Sequence, residues 1–435
     1  TYYWFYSDFK KLILKKKTKN FKMEDVKSIS ITFFQSFFNL WFIGLIALIY
    51  ILLYSLQDAL IYHPRNYHGR YQNYYHKAET VAKSSLKMPN GGMIKNIQYV
   101  TKDKIKHTAY WIPPFKRDYF KRCNDEYLQK IKEDESENVL PHFELWITGN
   151  GNAGLAKDWL AFSAEYVKKQ YDRKASSLKK KYVPISFLLI DYPGYGANVG
   201  GMPSPSSILE SYQLAVNIVQ IEMRKYFSAT NIKKCNEKIY GINNNDQNDK
   251  NRHRHHHHYY HGLNFKLNAI AHSIGSSAVL QYGATTLGDR KLHIHKYILI
   301  SPFSSMFEMT KVVIGPLPFV KYMLQHDWDN LRYVKQISEC HNCNEKERVR
   351  YNKNGVTINI FHGTKDEVVP FRMGQEVYEF VMEKLVNGKM MIDSRGENDV
   401  EMMFHTKFTS INGANHNNIV SVGKNEIMNQ MLEEF

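Results

Sequence analysis

Eight short apolar runs restrict this chain more than any other feature: IKNIQYV, HTAYWI, FELWIT, ISFLLID, LNAIAH, KYILIS, VTINIF and KFTSI. They fall between Ile94 and Ile411, and most are unbroken rather than alternating. A strand can be apolar on both faces only where its sheet is covered on both sides. Between several runs lie stretches of helical periodicity, as at Ser206 to Tyr226, Ser276 to Leu287 and Arg372 to Val386. This alternation predicts an α/β protein with a mainly parallel eight-stranded sheet and helices on both faces. At 435 residues the chain has room for two domains, or for one large α/β domain enlarged by insertions.

Four polar segments read as such insertions, near 116–141, 227–262, 338–354 and 387–402. The second holds a low-complexity tract with His253, His255 to His258 and His261. A surface loop accounts for it better than a metal site, because no ligand geometry is specified. Cys340 and Cys343 form one Cys-x-x-Cys with no second ligand pair at a fixed spacing, so no metal site is expected there. Four cysteines are too few for a disulfide framework.

The chain carries no charged residue from Ser28 to Gln57, and Leu40 to Leu53 is wholly apolar. Roughly 20 apolar residues suffice to cross a bilayer. A single transmembrane anchor over 28–57 is therefore expected, preceded by a basic flank at 1–27 and followed by the α/β domain at 58–435. The flank holds eight Lys against Asp8, Glu24 and Asp25, which predicts a cytoplasmic N-terminus and a domain across the membrane. If translation starts at Met23, most of those lysines drop out and the orientation argument weakens. The overall balance is basic, at +16. Much of the excess sits in patches such as Tyr166 to Val183, which read first as a solvated face and second as an attraction to anionic membrane. No nucleic-acid-binding signature accompanies the charge, and nucleic acid is not expected as a partner.

The stretch NAIAHSIGSSAVL (Asn268 to Leu280) ends an apolar run at His272-Ser273 and continues in small residues. It fits a nucleophile elbow, Gly-x-Ser-x-Gly, except that Ala271 replaces the first Gly. Alone the match is weak. Three further features give it company, each placed after an apolar run. The Gly149–Gly154 loop has small residues through which a backbone N–H can approach a carbonyl. Asp366 follows VTINIF, and His416 follows KFTSI. Nucleophile, acid and histidine thus occur in the chain order of an α/β hydrolase.

With these residues in place, the chain resembles the membrane-anchored α/β-hydrolase-domain (ABHD-type) serine hydrolases, which include acyl-protein thioesterases and lysophospholipid lipases. The resemblance runs from QDALIYHP (Gln57 to Pro64) to the end of the chain, apart from the insertions. NGNAG is similar to the family's His-Gly-Asn-Ala-Gly loop, with Asn150 in place of His. DYPGYGANVGGMPS (Asp191 to Ser204), HGTKDEVVP and GANHNNI are similar to its other motifs. The resemblance implies the α/β-hydrolase fold and a Ser273–His416–Asp366 acyl-enzyme mechanism. It also implies an oxyanion hole made by the N–H groups of Asn152 and Ile274, with no metal or organic cofactor. The substrate class it implies is a carboxylic ester or thioester of acyl-lipid or acylated type.

Phe303, Met306, Met309, Ile314, Phe319 and Met323 lie in the connection that overhangs the serine in this fold. Their spacing suits a flexible apolar wall for an acyl chain, and it suits an ordinary buried helical stripe as well. The competing function is a non-catalytic membrane-bound binding module on the same fold. Retention of all three reacting residues favours the enzyme.

Overall fold

The computed structural model describes residues 23–68, 72–85, 94–114, 142–175, 185–226, 264–287, 292–316, 320–339, 356–390 and 404–433. The low-complexity tract, Cys340, Cys343, Phe319 and nearly all of the four inserted segments lie outside them. Of those segments, Ser338 and Glu339 belong to one helix and Asn387 to Met390 to another.

The eight strands are β1 (Lys95–Val100), β2 (Lys106–Ile112), β3 (His142–Gly149), β4 (Ile185–Ile190), β5 (Asn264–His272), β6 (Ile294–Ile300), β7 (Val356–Gly363) and β8 (Phe404–Ile411). They form one sheet in the order β1-β2-β4-β3-β5-β6-β7-β8. β1 and β2 pair antiparallel, as do β2 and β4, and every other pairing is parallel. This is the α/β-hydrolase fold that the resemblance implies, built on the mainly parallel sheet foreseen from the apolar runs. Every residue of β4 and of β7 is buried, which is why those runs do not alternate.

The helices are α1 (Met23–Ile61), α2 (Gln72–Ser85), α3 (Leu160–Ala175), α4 (Pro205–Tyr226), α5 (Ile274–Thr285), α6 (Met306–Ile314), α7 (Asn330–Glu339), α8 (Phe371–Met390) and α9 (Lys424–Leu432). On one face of the sheet Trp146, Phe187, Ile270, Ile298 and Phe361 pack under α2, α3 and α9, through Ala82, Tyr166 and Met428. On the other face α4, α5, α7 and α8 pack side by side in that order. The basic patch starts on α3, where Tyr166 and Val167 are buried while Lys168 is exposed.

Two compact units divide the chain. One holds residues 1–58 with 322–325, the other 59–321 with 326–435. Helix α1 includes Phe38–Ile61, 24 residues long and apolar enough to cross a membrane, and most of its described side chains are exposed. The helix overruns the expected 28–57 at both ends. Within the first unit Gln57 donates its amide to Met323 O at 2.7 Å and accepts from Gln325 N at 2.8 Å, and Gln325 Nε2 donates to Tyr54 O at 2.9 Å.

In the second unit, the connections leaving β3 and β5 run to opposite sides of the sheet, because β4 lies on one side of β3 and β6 on the far side of β5. Such a switch point opens a crevice at the carboxyl ends of the strands.

Candidate active site

Ser273 stands between the end of β5 and the start of α5 with φ 56 and ψ −125, one of three non-glycine residues of positive φ among those described. An L-residue held there stores roughly 1–3 kcal/mol of strain. That strain persists because both flanks of the turn are fixed. Ser273 N donates to Ile300 O at 2.8 Å, and Ser276 N donates to Ser273 O at 2.9 Å.

The turn also needs missing side chains. A Cβ on Gly275 would lie 2.3 Å from Gly149 C, and one on Gly149 would lie 2.7 Å from the Ala271 methyl. Gly149 and Ala271 are register partners in the β3–β5 ladder. The methyl that Ala271 adds to the elbow is thus accommodated by the absence of one across the ladder. The other departure from the family pattern is equally well housed. Asn150 Nδ2 donates to Ile190 O at 2.7 Å, and Asn150 Oδ1 accepts from Trp159 Nε1 at 3.1 Å. Tyr192 Oη accepts from Asn150 N and donates to Asn150 O. An amide here shapes the loop from a fully buried position.

Asp366 and His416 meet. His416 Nδ1 lies 2.9 Å from Asp366 Oδ2 and 3.1 Å from Oδ1, and the carboxylate side chain is completely covered. A carboxylate on Nδ1 fixes the proton there and leaves Nε2 as the basic nitrogen. Val369 N and Val368 N donate to Asp366 Oδ1 at 2.8 and 3.0 Å. Burial by itself would raise the Asp366 pKa, but the hydrogen bond and charge of His416 outweigh it and hold the carboxyl at about 2.

Among the described residues no hydrogen bond joins Ser273 Oγ to the His416 ring. The two are linked through His272, whose ring lies 4.6 Å from that of His416 and whose Nε2 is 3.0 Å from His416 O. Contacts of this kind commonly tighten only when substrate is bound.

Reasoning from sequence overlooked His272 and His362. His362 Nε2 lies 2.9 Å from Val369 O and 3.5 Å from Asp366 Oδ2, so it braces the acid loop from behind. The available signals were position alone: one residue before the serine, and the second-to-last residue of β7. Burial, followed by the neighbouring His416, lowers the His272 pKa to about 3, and burial also lowers that of His362. Both rings stay neutral near pH 7.

A histidine of depressed pKa contributes stability that is whole above its unfolded pKa, near 6.5, and is lost as the pH falls from there toward 3. Asp366 acts in the same direction at lower pH, between its ordinary 3.8 and about 2. Denaturant unfolding between pH 7 and 4 should therefore show His272→Gln losing less stability on acidification than the parent. Parallel losses would contradict the buried neutral ring.

Phe303 and Met306 are buried just beyond β6, while Met309 and Ile314 on α6 and Met323 are half-buried. Asn152 and Ile274 follow β3 and Ser273, and neither N–H is bonded to a protein acceptor among the described residues. Gly151 brings the loop after β3 up to the serine: a Cβ there would sit 3.0 Å from His272 Nδ1 and 3.7 Å from Ser273 Cβ.

No protein-family model and no curated protein sequence matches the chain. Among solved structures, it is similar to an esterase from Pyrococcus furiosus at 13% identity, covering 85% of this chain and 95% of that one, with a TM-score of 0.43. Est1E from Butyrivibrio proteoclasticus is 14% identical over 78% of this chain and 97% of its own, with a TM-score of 0.37. An acylaminoacyl peptidase from Pyrococcus horikoshii is 9% identical over 78% of this chain and 40% of its own, with a TM-score of 0.38. The fold assignment rests on the strand order and on the strained turn between β5 and α5.

Proposed function

We propose that the protein is a membrane-anchored serine hydrolase that cleaves carboxylic ester or thioester bonds of acyl-lipid or acylated substrates. The observation that carries this reading is the strained Ser273 at the head of α5, beside a buried His416–Asp366 pair. A serine has no structural need of positive φ. The conformation is useful where a hydroxyl must stand clear of its own backbone and face a reacting carbon.

In the proposed reaction Ser273 Oγ attacks the acyl carbonyl while His416 Nε2 takes the hydroxyl proton. The carbonyl electrons move onto oxygen, and the N–H groups of Asn152 and Ile274 donate hydrogen bonds to the resulting oxyanion; one such donor is worth roughly 3–4 kcal/mol in the transition state. Collapse expels the alcohol or thiol, which leaves with the proton from His416. Water then repeats the sequence on the acyl-enzyme and releases the acid. Asp366 holds the imidazole orientation and stabilises its protonated form throughout.

Phe303, Met306 and Met309 serve as the acyl-chain wall in this reading, and α1 as the anchor. The direct test is hydrolysis of acyl esters and acyl thioesters of increasing chain length by the full chain in detergent. Turnover with KM falling as the chain lengthens is the expected result. An inert protein across the whole series would return the fold to a binding module.

The basic flank supports an extracytoplasmic hydrolase domain in this reading. The sequence has no Asn-x-Ser/Thr acceptor, so a sequon introduced near Asn245 supplies an unambiguous reporter. It should be glycosylated in a competent host. An unmodified sequon on a domain protected from external protease would reverse the orientation.

A further inference from the structure

We propose that the short strap His63 to Tyr67, directly after α1, is a positioning element for the oxyanion hole, acting through the backbone of Asn152. The inference rests on the serine-hydrolase reading, because it concerns the donor that reading assigns to Asn152.

An amide N–H lies in the peptide plane it shares with the preceding carbonyl, and holding the next plane, joined at the same Cα, restricts how far that plane can turn. In a trans peptide the N–H points opposite to the C=O of the same plane. The Gly151 carbonyl accepts from Gly154 N at 3.0 Å, which directs Asn152 N–H away from that turn. The loop makes this contact by itself. The next plane is fixed from outside. Asn152 O accepts from His63 N at 3.1 Å and from Tyr195 Oη at 2.5 Å. With both planes held, the Asn152 N–H has one direction left.

The strap itself is tied down along its length. Gly196 N donates to Arg65 O at 2.7 Å, and Asn66 bridges to Gly196. Tyr67 Oη donates to both oxygens of Asp191, at 2.9 and 2.8 Å. Asp191 Oδ1 in turn accepts from Ala156 N at 2.8 Å, four residues beyond Asn152. Asp191 is wholly buried, and burial pushes its pKa up to about 6 despite these donors. A side chain on Gly196 would fall within 2.2 Å of that carboxylate, so the loop after β4 closes on it directly. The Arg65–Asp158 pair at 3.1 Å is about one-third exposed on both sides and adds little.

Only the backbone N–H of His63 is used, since its imidazole is exposed. His63→Pro removes that donor, and His63→Ala keeps it. Pro64 follows, which already confines residue 63 to the extended region and makes proline there tolerable. The comparison is made on the full chain in detergent with a p-nitrophenyl acyl ester. Relative to His63→Ala, His63→Pro should lower kcat about ten-fold or more, with KM within two-fold and the same thermal midpoint; displacing a reacting group by an ångström can cost roughly a hundred-fold. Tyr195→Phe, which removes the other donor to the same oxygen, should give the same kcat-only loss, and the double variant a larger one.

Equal kcat in His63→Pro and His63→Ala overturns the inference. So does a loss that follows the thermal midpoint in both variants, or one that falls on KM, because a mere packing contact would act that way. Ser273→Ala separates the two levels of the argument. If it retains turnover, the serine reading itself has failed; if it is inert while His63→Pro matches His63→Ala, only the strap has.

Discussion

Ser273→Ala is expected to abolish turnover and fluorophosphonate labelling while leaving the protein folded, because the change removes one hydroxyl from a turn held by backbone contacts. His416→Ala should lower kcat by several orders of magnitude, since the hydroxyl then lacks its base. The double variant should be little worse than either single one, as residues that act as a unit are strongly non-additive. Ser276→Ala and Ser277→Ala are the controls. Both hydroxyls are sealed without a hydrogen-bond partner, so losing either removes an unsatisfied buried group and should leave activity and stability near the parent. Steady-state kinetics on the five proteins checks the series.

Gly275→Ala is expected to be nearly as severe by a different route. The added methyl would meet Gly149 C at 2.3 Å, Gly149 O at 2.5 Å and Asn150 N at 2.7 Å, all of them backbone atoms that cannot rotate aside. The end of β3 and the loop after it must move, and that loop carries the Asn152 N–H. We expect a kcat loss of roughly a hundred-fold or more from misplacement alone, together with a destabilisation of several kcal/mol if the strand yields. Thermal unfolding and kcat measured on the same preparation check both. A variant with parent-like kcat would show that the approach of β3 to α5 is looser than this geometry requires.

The legible parts of the fold were those written in local pattern. All eight strands fall on the apolar runs. β1 alternates buried and exposed residues, whereas for the inner strands the reason is that a strand buried on both faces must be apolar along its length. β4 and β7 show this most plainly. Helix α2 escaped notice. It is mostly polar, and among its described side chains only Tyr75 and Ala82 are buried, too narrow a stripe to stand out in the sequence. Helix ends moved by one or two residues, as at α4 and α5, and by more at α8, where a helical pattern runs on into polar sequence.

Within the site, Ser273, Asp366 and His416 could be singled out because each follows a strand and their chain order is constrained. The compensation between Ala271 and Gly149 could not, since it depends on the β3–β5 register rather than on either residue's neighbours in sequence. The hydrogen bond from His63 to Asn152 was hidden for a stronger reason. It is made by backbone atoms, which every residue but proline possesses. His272 had a position next to the serine but no residue-type signal to separate a bracing ring from a solvated one.

The central claim is that Ser273 is the nucleophile, and the most direct measurement is the site of covalent capture. The full chain, treated with a fluorophosphonate in detergent, is digested and its modified peptide identified by mass. The account predicts one adduct per chain, on the Ser273 oxygen, absent after Ser273→Ala and strongly slowed after His416→Ala. An adduct on any other residue, or turnover that survives Ser273→Ala, would contradict it.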